Sequence, residues 1–143
     1  MTTTNTTVPL DQGTANRLSR QFHDAFETFE VPESAFAPDA FFDLNMPVWR
    51  FQLQGREALA AQLRRINQGP SRVEILRTVP TTSGFVTEHV EHQDVDGEDH
   101  SARRLWLCEV VDGRIVEVVG YCSGEWTDEL RARHAREAPM IRP

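Results

Sequence analysis

Three absences bound what this chain can be. It has two cysteines in 143 residues, too few for a disulfide-stapled scaffold, and a chain of this length buries a sizeable core as one domain without disulfide or metal support. It has no apolar run of membrane-spanning length, so no membrane partner is expected. It has no clustered basic surface: the formal net charge is -7 and the pI near 5.2, which argues against nucleic acid as a partner. Arg131, Arg133 and Arg136 read instead as the basic end of a helix, complementing its dipole. Met1 to Val8, rich in threonine, lacks the basic start and apolar stretch of a secretory leader, and residues 1–9 are expected to form a disordered tail. Cys108 and Cys122 read as free buried thiols rather than a disulfide, consistent with a reducing, cytoplasmic setting. No phosphate-cradling glycine loop, serine elbow or dinucleotide fingerprint is present, so any chemistry is expected to need no cofactor.

What is present is a helix-then-strand pattern. Leu18, Phe22, Ala25, Phe26 and Phe29 share one helical stripe, with Arg17, Arg20, Asp24 and Glu27 off it. Pro32 to Phe36 reads as a short second helix stopped by Pro38-Asp39, and Gly55 to Asn67 as a third with Leu59, Leu63 and Ile66 buried. Extended segments fall at Phe41 to Met46, Trp49 to Gln54, Arg72 to Val79, Phe85 to Gln93, Ala102 to Val110 and Ile115 to Glu125, and a closing helix starts near Thr127. The fold expected is α+β: a curved, mainly antiparallel sheet wrapped around helices to make a cone with an internal apolar cavity, spanning 10–126, followed by a C-terminal helix and tail over 127–143.

The last hairpin decides which side chains see that cavity, because a slip of one residue exchanges the two faces of a sheet. A two-residue Asp112-Gly113 turn pairs Cys108 with Glu117; a three-residue loop pairs Cys108 with Val116. The second is preferred, since it gathers Arg104, Trp106, Cys108, Val116, Val118, Gly120 and Cys122 on one face. Leu105, Leu107, Val119 and Tyr121 then make the other face apolar too, and a homodimer through that outer face is the expected remedy.

Two segments carry the chemistry. Asp43-Leu44-Asn45-Met46-Pro47 and Thr87-Glu88-His89-Val90-Glu91 set acid, base and amide groups at alternate strand positions, so that Asp43 with Asn45, and Thr87 with His89 and Glu91, share faces. If both faces turn inward they make one polar floor in an apolar cavity. A catalytic set of Asp43, Asn45, His89 and Glu91 follows, walled by Trp49, Arg104, Trp106, Cys108, Val118, Gly120 and Cys122. No metal is expected, because His89 and His92 point to opposite faces of a strand.

With these motifs and this element order the chain resembles the nuclear transport factor 2-like superfamily, and within it limonene epoxide hydrolase. That enzyme family carries Asn-Met-Pro on its first strand, matched by Asn45-Met46-Pro47, and Thr-Glu-Arg-Val-Asp, matched by Thr87-Glu88-His89-Val90-Glu91. The resemblance implies a cofactor-independent acid/base enzyme on a small hydrophobic molecule. The family's asparagine falls on Asn45, its acid on Glu91, its bridging arginine on His89, its tyrosine on Asp43 and its second aspartate on Gly120. In the epoxide-opening scheme this implies, Glu91 protonates the epoxide oxygen, Asp43 and Asn45 hold and activate water, and His89 tunes both carboxyls. Loss of the acid at Gly120 favours an isomerase, dehydratase or polyketide-type cyclase instead, and a ligand-binding protein without turnover stands as the non-enzymatic alternative. Arg104 could replace the arginine lost at His89.

Overall fold

A computed structural model describes residues 9–142; the expected tail over 1–9 lies, but for Pro9, outside the described residues. The element order is α1 (Gln12–Thr28), β1 (Phe36–Met46), β2 (Trp49–Gln54), α2 (Arg56–Ile66), β3 (Ser71–Pro80), β4 (Gly84–Val95), β5 (Glu98–Val111), β6 (Arg114–Trp126) and α3 (Asp128–Glu137). The six strands form one open sheet in the order β2-β1-β6-β5-β4-β3. Only β1 and β6 run parallel; every other neighbouring pair is antiparallel. This is the α+β cone that the pattern predicts, with α1 and α2 on the inner face.

Asp11 caps α1 by accepting from the Thr14 amide at 2.8 Å. The helix buries Ala15, Leu18, Ser19, Phe22, His23, Ala25 and Phe26, a stripe at three- and four-residue spacing. Those apolar side chains meet Phe36, Phe42 and Leu44 of β1, Leu59 and Leu63 of α2, and Phe85, Trp106, Cys108, Ile115 and Val118 of the long strands in a single core.

The short helix expected at Pro32 to Phe36 is not there. The Ala35 and Phe36 amides both bond the Pro32 carbonyl, which closes one turn, and β1 begins at once at Phe36. Pro38 holds Ala37 extended and so forbids a second helical turn. The strand tolerates that proline because the β1–β6 ladder is interrupted between Phe36 and Phe41.

Both registers considered for the last hairpin are corrected. The turn has two residues, with Asp112 at φ 52° and Gly113 at φ 78° and Val111 opposite Arg114, the left-handed pair that a type I′ turn needs. A bulge between Glu109 and Val110 then advances β6 by one residue, so Cys108 pairs with Val118. The extra residue restores the side-chain parity of the preferred register: Trp106, Cys108, Val118 and Gly120 are buried on the inner face, while Leu105, Leu107 and Tyr121 are exposed on the outer one. At the bulge Ile115 is fully buried and Val116 only half-buried.

Candidate active site

The inner faces of β4 and β5, with α1 laid across them, make the only place among the described residues where several polar side chains are buried together. Strand alternation turns Thr87, His89 and Glu91 inward, with exposures of 0%, 0% and 4%. From α1, Ser19 and His23 reach the same layer. Glu88 faces the other way and pairs with Arg77 and Arg103 on the outer face.

Each Glu91 oxygen accepts one hydrogen bond. The Arg104 guanidinium gives it a hydrogen bond at 2.6 Å, and the Ser71 hydroxyl gives its other oxygen one at 2.8 Å. His89 and Arg104 are direct cross-strand partners, so the cation that the resemblance placed at His89 stands one strand over, on β5. Arg104 also lies 5.7 Å over the Phe26 ring, a cation–π contact. Burial alone would disfavour its charge, yet the facing Glu91 and the Cys122 thiol beside it keep Arg104 more firmly protonated than an ordinary arginine.

Next to this ion pair is a chain of neutral groups. His89 Nδ1 is 2.7 Å from His23 Nδ1, and the Trp106 indole N–H donates to His89 Nδ1 at 3.3 Å. His23 Nε2 is 3.0 Å from the Thr87 hydroxyl, which is 2.9 Å from that of Ser19. The Thr78 hydroxyl donates to Ser19 at 2.9 Å. Burial, with a small push from Arg20, lowers the His23 pKa to about 3. His89 is held well below the usual imidazole range by burial first, then by His23 and Arg104. Both rings are therefore uncharged near neutral pH.

An apolar cavity of about 40 Å³, lined by α1, β1, β2, α2 and β5, meets this layer through Arg104 and Trp106, with His89 and Glu91 behind them rather than among its walls. Its single charged wall is Arg104, its single polar neutral wall Gln62, and Phe22, Phe26 and Trp106 close its floor. Phe26 and Trp106 are also the ring neighbours of His89, at 5.0 and 5.9 Å between centroids. In this form the cavity has space for about one water, so a larger ligand enters only if side chains of α2 or β2 give way.

The structure divides the anticipated residues sharply. Asp43 and Asn45 do not join His89 and Glu91. Phe42 and Leu44 are the inward residues of β1, at 1% and 5% exposure, and alternation sends Asp43 and Asn45 to the opposite face. There Arg50 grips Asp43 through two hydrogen bonds and lowers the Asp43 pKa. Asn45 donates to the Gly120 carbonyl at 3.2 Å. The apolar flanks of Asp43 were misleading because its immediate neighbours Phe42 and Leu44 are the inward residues, and Phe41, which shares its parity, is only half-buried.

Of the anticipated pocket wall, Arg104 and Trp106 line the cavity. Cys108 and Val118 are buried deeper in the core, and Cys122 is beside Arg104. Both cysteines are free thiols. Trp49 is 70% exposed, because it opens β2 directly after the turn at Pro47 and Val48. Gly120 is directly opposite Trp106, and a Cβ there would fall 2.2 Å from the indole Cζ3. The indole thus occupies the space in which the resemblance would place a second carboxylate. No group of three or more histidine, cysteine or acidic side chains among the described residues is disposed to hold a metal ion.

His23, Ser19 and Ser71 were not anticipated. Ser19 and His23 had a legible signal: they are four and eight residues after Ala15 on the buried stripe of α1, a spacing that seats polar residues in the core as surely as apolar ones. Ser71, at the start of an edge strand, had none.

No protein-family model matches the chain, and no curated protein sequence does. Solved structures do. An LEH-like epoxide hydrolase from M. tuberculosis aligns over 76% of this chain and 78% of its own, at 23% identity and a TM-score of 0.60. A putative polyketide cyclase from Xanthomonas campestris pv. campestris aligns over 77% and 90%, at 24% identity and a TM-score of 0.59. A putative ketosteroid isomerase from Kribbella flavida aligns over 80% and 81%, at 16% identity and a TM-score of 0.56. An NTF2-like protein of unknown function from Mesorhizobium loti shares the same architecture. These likenesses, with the sheet order and the helices on its inner face, give the chain the cone fold of the nuclear transport factor 2-like superfamily.

Proposed function

We propose that this protein is a cofactor-independent acid/base enzyme that moves a proton on a small hydrophobic substrate, in the manner of an isomerase or cyclase rather than by epoxide hydrolysis. One observation carries the reading: among the described residues Glu91 is the sole carboxylate in the buried polar layer, and Arg104, which holds it, is the sole charged wall of the apolar cavity. Ring opening by water in the resembling family uses two carboxyls, and here the second position is Gly120 beneath Trp106. Asp43, the substitute for that acid, faces the outer side.

In this scheme Glu91 accepts a proton from carbon, and its two bonded oxygens still hold free lone pairs for that purpose. Arg104 gives one N–H to Glu91 and touches Cys122, which leaves further donors of its five to meet an oxygen that gains negative charge as the proton leaves. The apolar walls exclude water and strengthen both interactions. Lysine-based covalent catalysis is outside this chain's means, since it contains no lysine.

The engagement of both Glu91 oxygens favours a second reading, a binding protein for small hydrophobic ligands without turnover. Incubation with hydrophobic ketones and epoxides in deuterated water separates the two. The enzyme reading expects carbon-bound deuterium in a ketone product and its loss in Glu91→Gln; a binding protein returns every compound unlabelled. The same proposal includes a homodimer through Leu105, Leu107 and Tyr121 of the outer face, 38 to 51% exposed in the single chain, in a reducing cytoplasmic setting. Light scattering on Leu107→Glu, expected to give half the wild-type mass, tests the dimer.

A further inference from the structure

We infer that His23 is a positioning residue that fixes the tautomer of His89, so that His89 presents an Nε2–H donor and the site receives a hydrogen-bond acceptor, a carbonyl or carboxylate oxygen. The inference deepens the proton-transfer reading and rests on it for the role of the ligand, but the tautomer itself follows from hydrogen bonds alone.

The Trp106 indole N–H can only donate. Its partner is His89 Nδ1 at 3.3 Å, so that nitrogen must be the bare, accepting one. The same atom is 2.7 Å from His23 Nδ1. With no proton on the His89 side, the proton between the two rings belongs to His23. A neutral His23 with its proton on Nδ1 has a bare Nε2, which accepts from the Thr87 hydroxyl at 3.0 Å. Thr87 can then accept from Ser19 at 2.9 Å, and Ser19 from Thr78 at 2.9 Å. Every proton in the series points the same way, from Thr78 through Ser19, Thr87 and His23 to His89. Aligned chains of this kind reinforce one another in a low-dielectric interior.

The opposite alignment fails at a definable place. Thr87 is also 3.1 Å from the Arg77 carbonyl and could donate there, letting His23 Nε2–H donate to Thr87. His89 would then carry its proton on Nδ1, and the Trp106 N–H would lose its acceptor inside the core, a cost of about 1–3 kcal/mol for a buried unsatisfied donor.

The forward alignment leaves one consequence. The His89 proton is on Nε2, and His89 Nε2 is a buried polar atom with no hydrogen-bond partner among the described residues. Its neighbours Phe26, Arg104 and Trp106 are walls of the apolar cavity. Arg104 can only donate, and neither Glu91 oxygen, each holding one donor, bonds His89 Nε2. A ligand that completes this set supplies an acceptor on an apolar body.

The test is ¹⁵N NMR of the histidine rings in the wild-type protein at neutral pH, which needs no variant to fold. Opposite tautomers are expected: His89 with protonated Nε2 and bare Nδ1, His23 with protonated Nδ1 and bare Nε2. A proton on His89 Nδ1, or two rings of the same tautomer, overturns the inference. Acetophenone, an apolar molecule that can only accept, is then titrated to millimolar concentration. A shift of the His89 Nε2–H resonance with His23 nearly unmoved supports the acceptor assignment, whereas no change at His89 overturns it. Both readouts are independent of turnover, so a failed deuterium exchange with the expected tautomers removes the enzymatic reading and leaves this one standing.

Discussion

Glu91 and Asp43 each hold an arginine, and their surroundings make the two pairs unequal. The Glu91–Arg104 pair is removed from water, with side-chain exposures of 5% and 12%, so deleting one charge strands the other. Glu91→Gln is expected to cost about 3 kcal/mol in a urea titration. Asp43→Asn breaks a bridge whose arginine is 62% exposed and should leave the urea midpoint nearly unchanged. Equal effects of the two substitutions would contradict the faces assigned to β1 and β4. Gly120 makes a second residue-scale prediction. Alanine there would drive a methyl into the Trp106 indole, and overpacking of a filled core costs about 1–3 kcal/mol. Trimming the indole in Gly120→Ala/Trp106→Leu should make the two changes non-additive, since they share one space.

Among the elements, the β1–β2 hairpin stores local strain. Its turn is Pro47-Val48 between the paired residues Met46 and Trp49. Val48 has φ 51°, a conformation that a β-branched residue rarely adopts, and is fully exposed, so its side chain gains nothing in exchange. Val48→Gly is expected to raise stability by about 1 kcal/mol, read as a higher melting temperature; a loss of stability would show that the valine packs on something. Turn chemistry of this kind was the most legible part of the sequence. Asp112-Gly113 named the last hairpin though not its loop length, and the stripe Leu18, Phe22, Ala25, Phe26 named the inner face of α1. The bulge in β6 was not legible, because nothing local distinguishes Val116 as the residue to be passed over; it is set by how Ile115 and Val118 both reach the core. The face of Asp43 was not legible either, since apolar residues flank it on both sides and only the burial of Phe42 and Leu44 settles the parity. Thr87, His89 and Glu91 were legible as a group, but their true partners, Ser19, His23 and Ser71, come from segments distant in sequence.

Over the whole molecule, a core that keeps two histidines neutral makes stability depend on pH. His23 and His89 bind protons near pH 6.5 when unfolded, but in the fold His23 does so only near pH 3 and His89 well below the usual range. Between those limits the unfolded chain holds protons that the folded chain lacks, so stability is complete above about pH 6.5 and falls as the pH is lowered. Two such groups imply a loss of roughly 2 kcal/mol between pH 6 and pH 5, before most carboxylates titrate. His100, its pKa raised by the hydrogen bond to Glu125, opposes that loss from the surface. A flat urea midpoint over that interval would mean that the histidines are solvated. The same dry interior gives Arg104 and Glu91 their force, so neutral histidines beside an intact Glu91–Arg104 ion pair are the condition for the chemistry proposed.

The most direct measurement of the central claim is mass spectrometry on hydrophobic ketones and epoxides incubated in water labelled with deuterium and oxygen-18, for wild type, Glu91→Gln and Asp43→Asn. Proton transfer at Glu91, behind the Arg104 wall of the apolar cavity, predicts deuterium on carbon with wild type and Asp43→Asn, none with Glu91→Gln, and no labelled diol from any of the three. An oxygen-18 diol formed by wild type and lost in Asp43→Asn would contradict the account, placing the working carboxylate on the outer face and the reaction in epoxide hydrolysis.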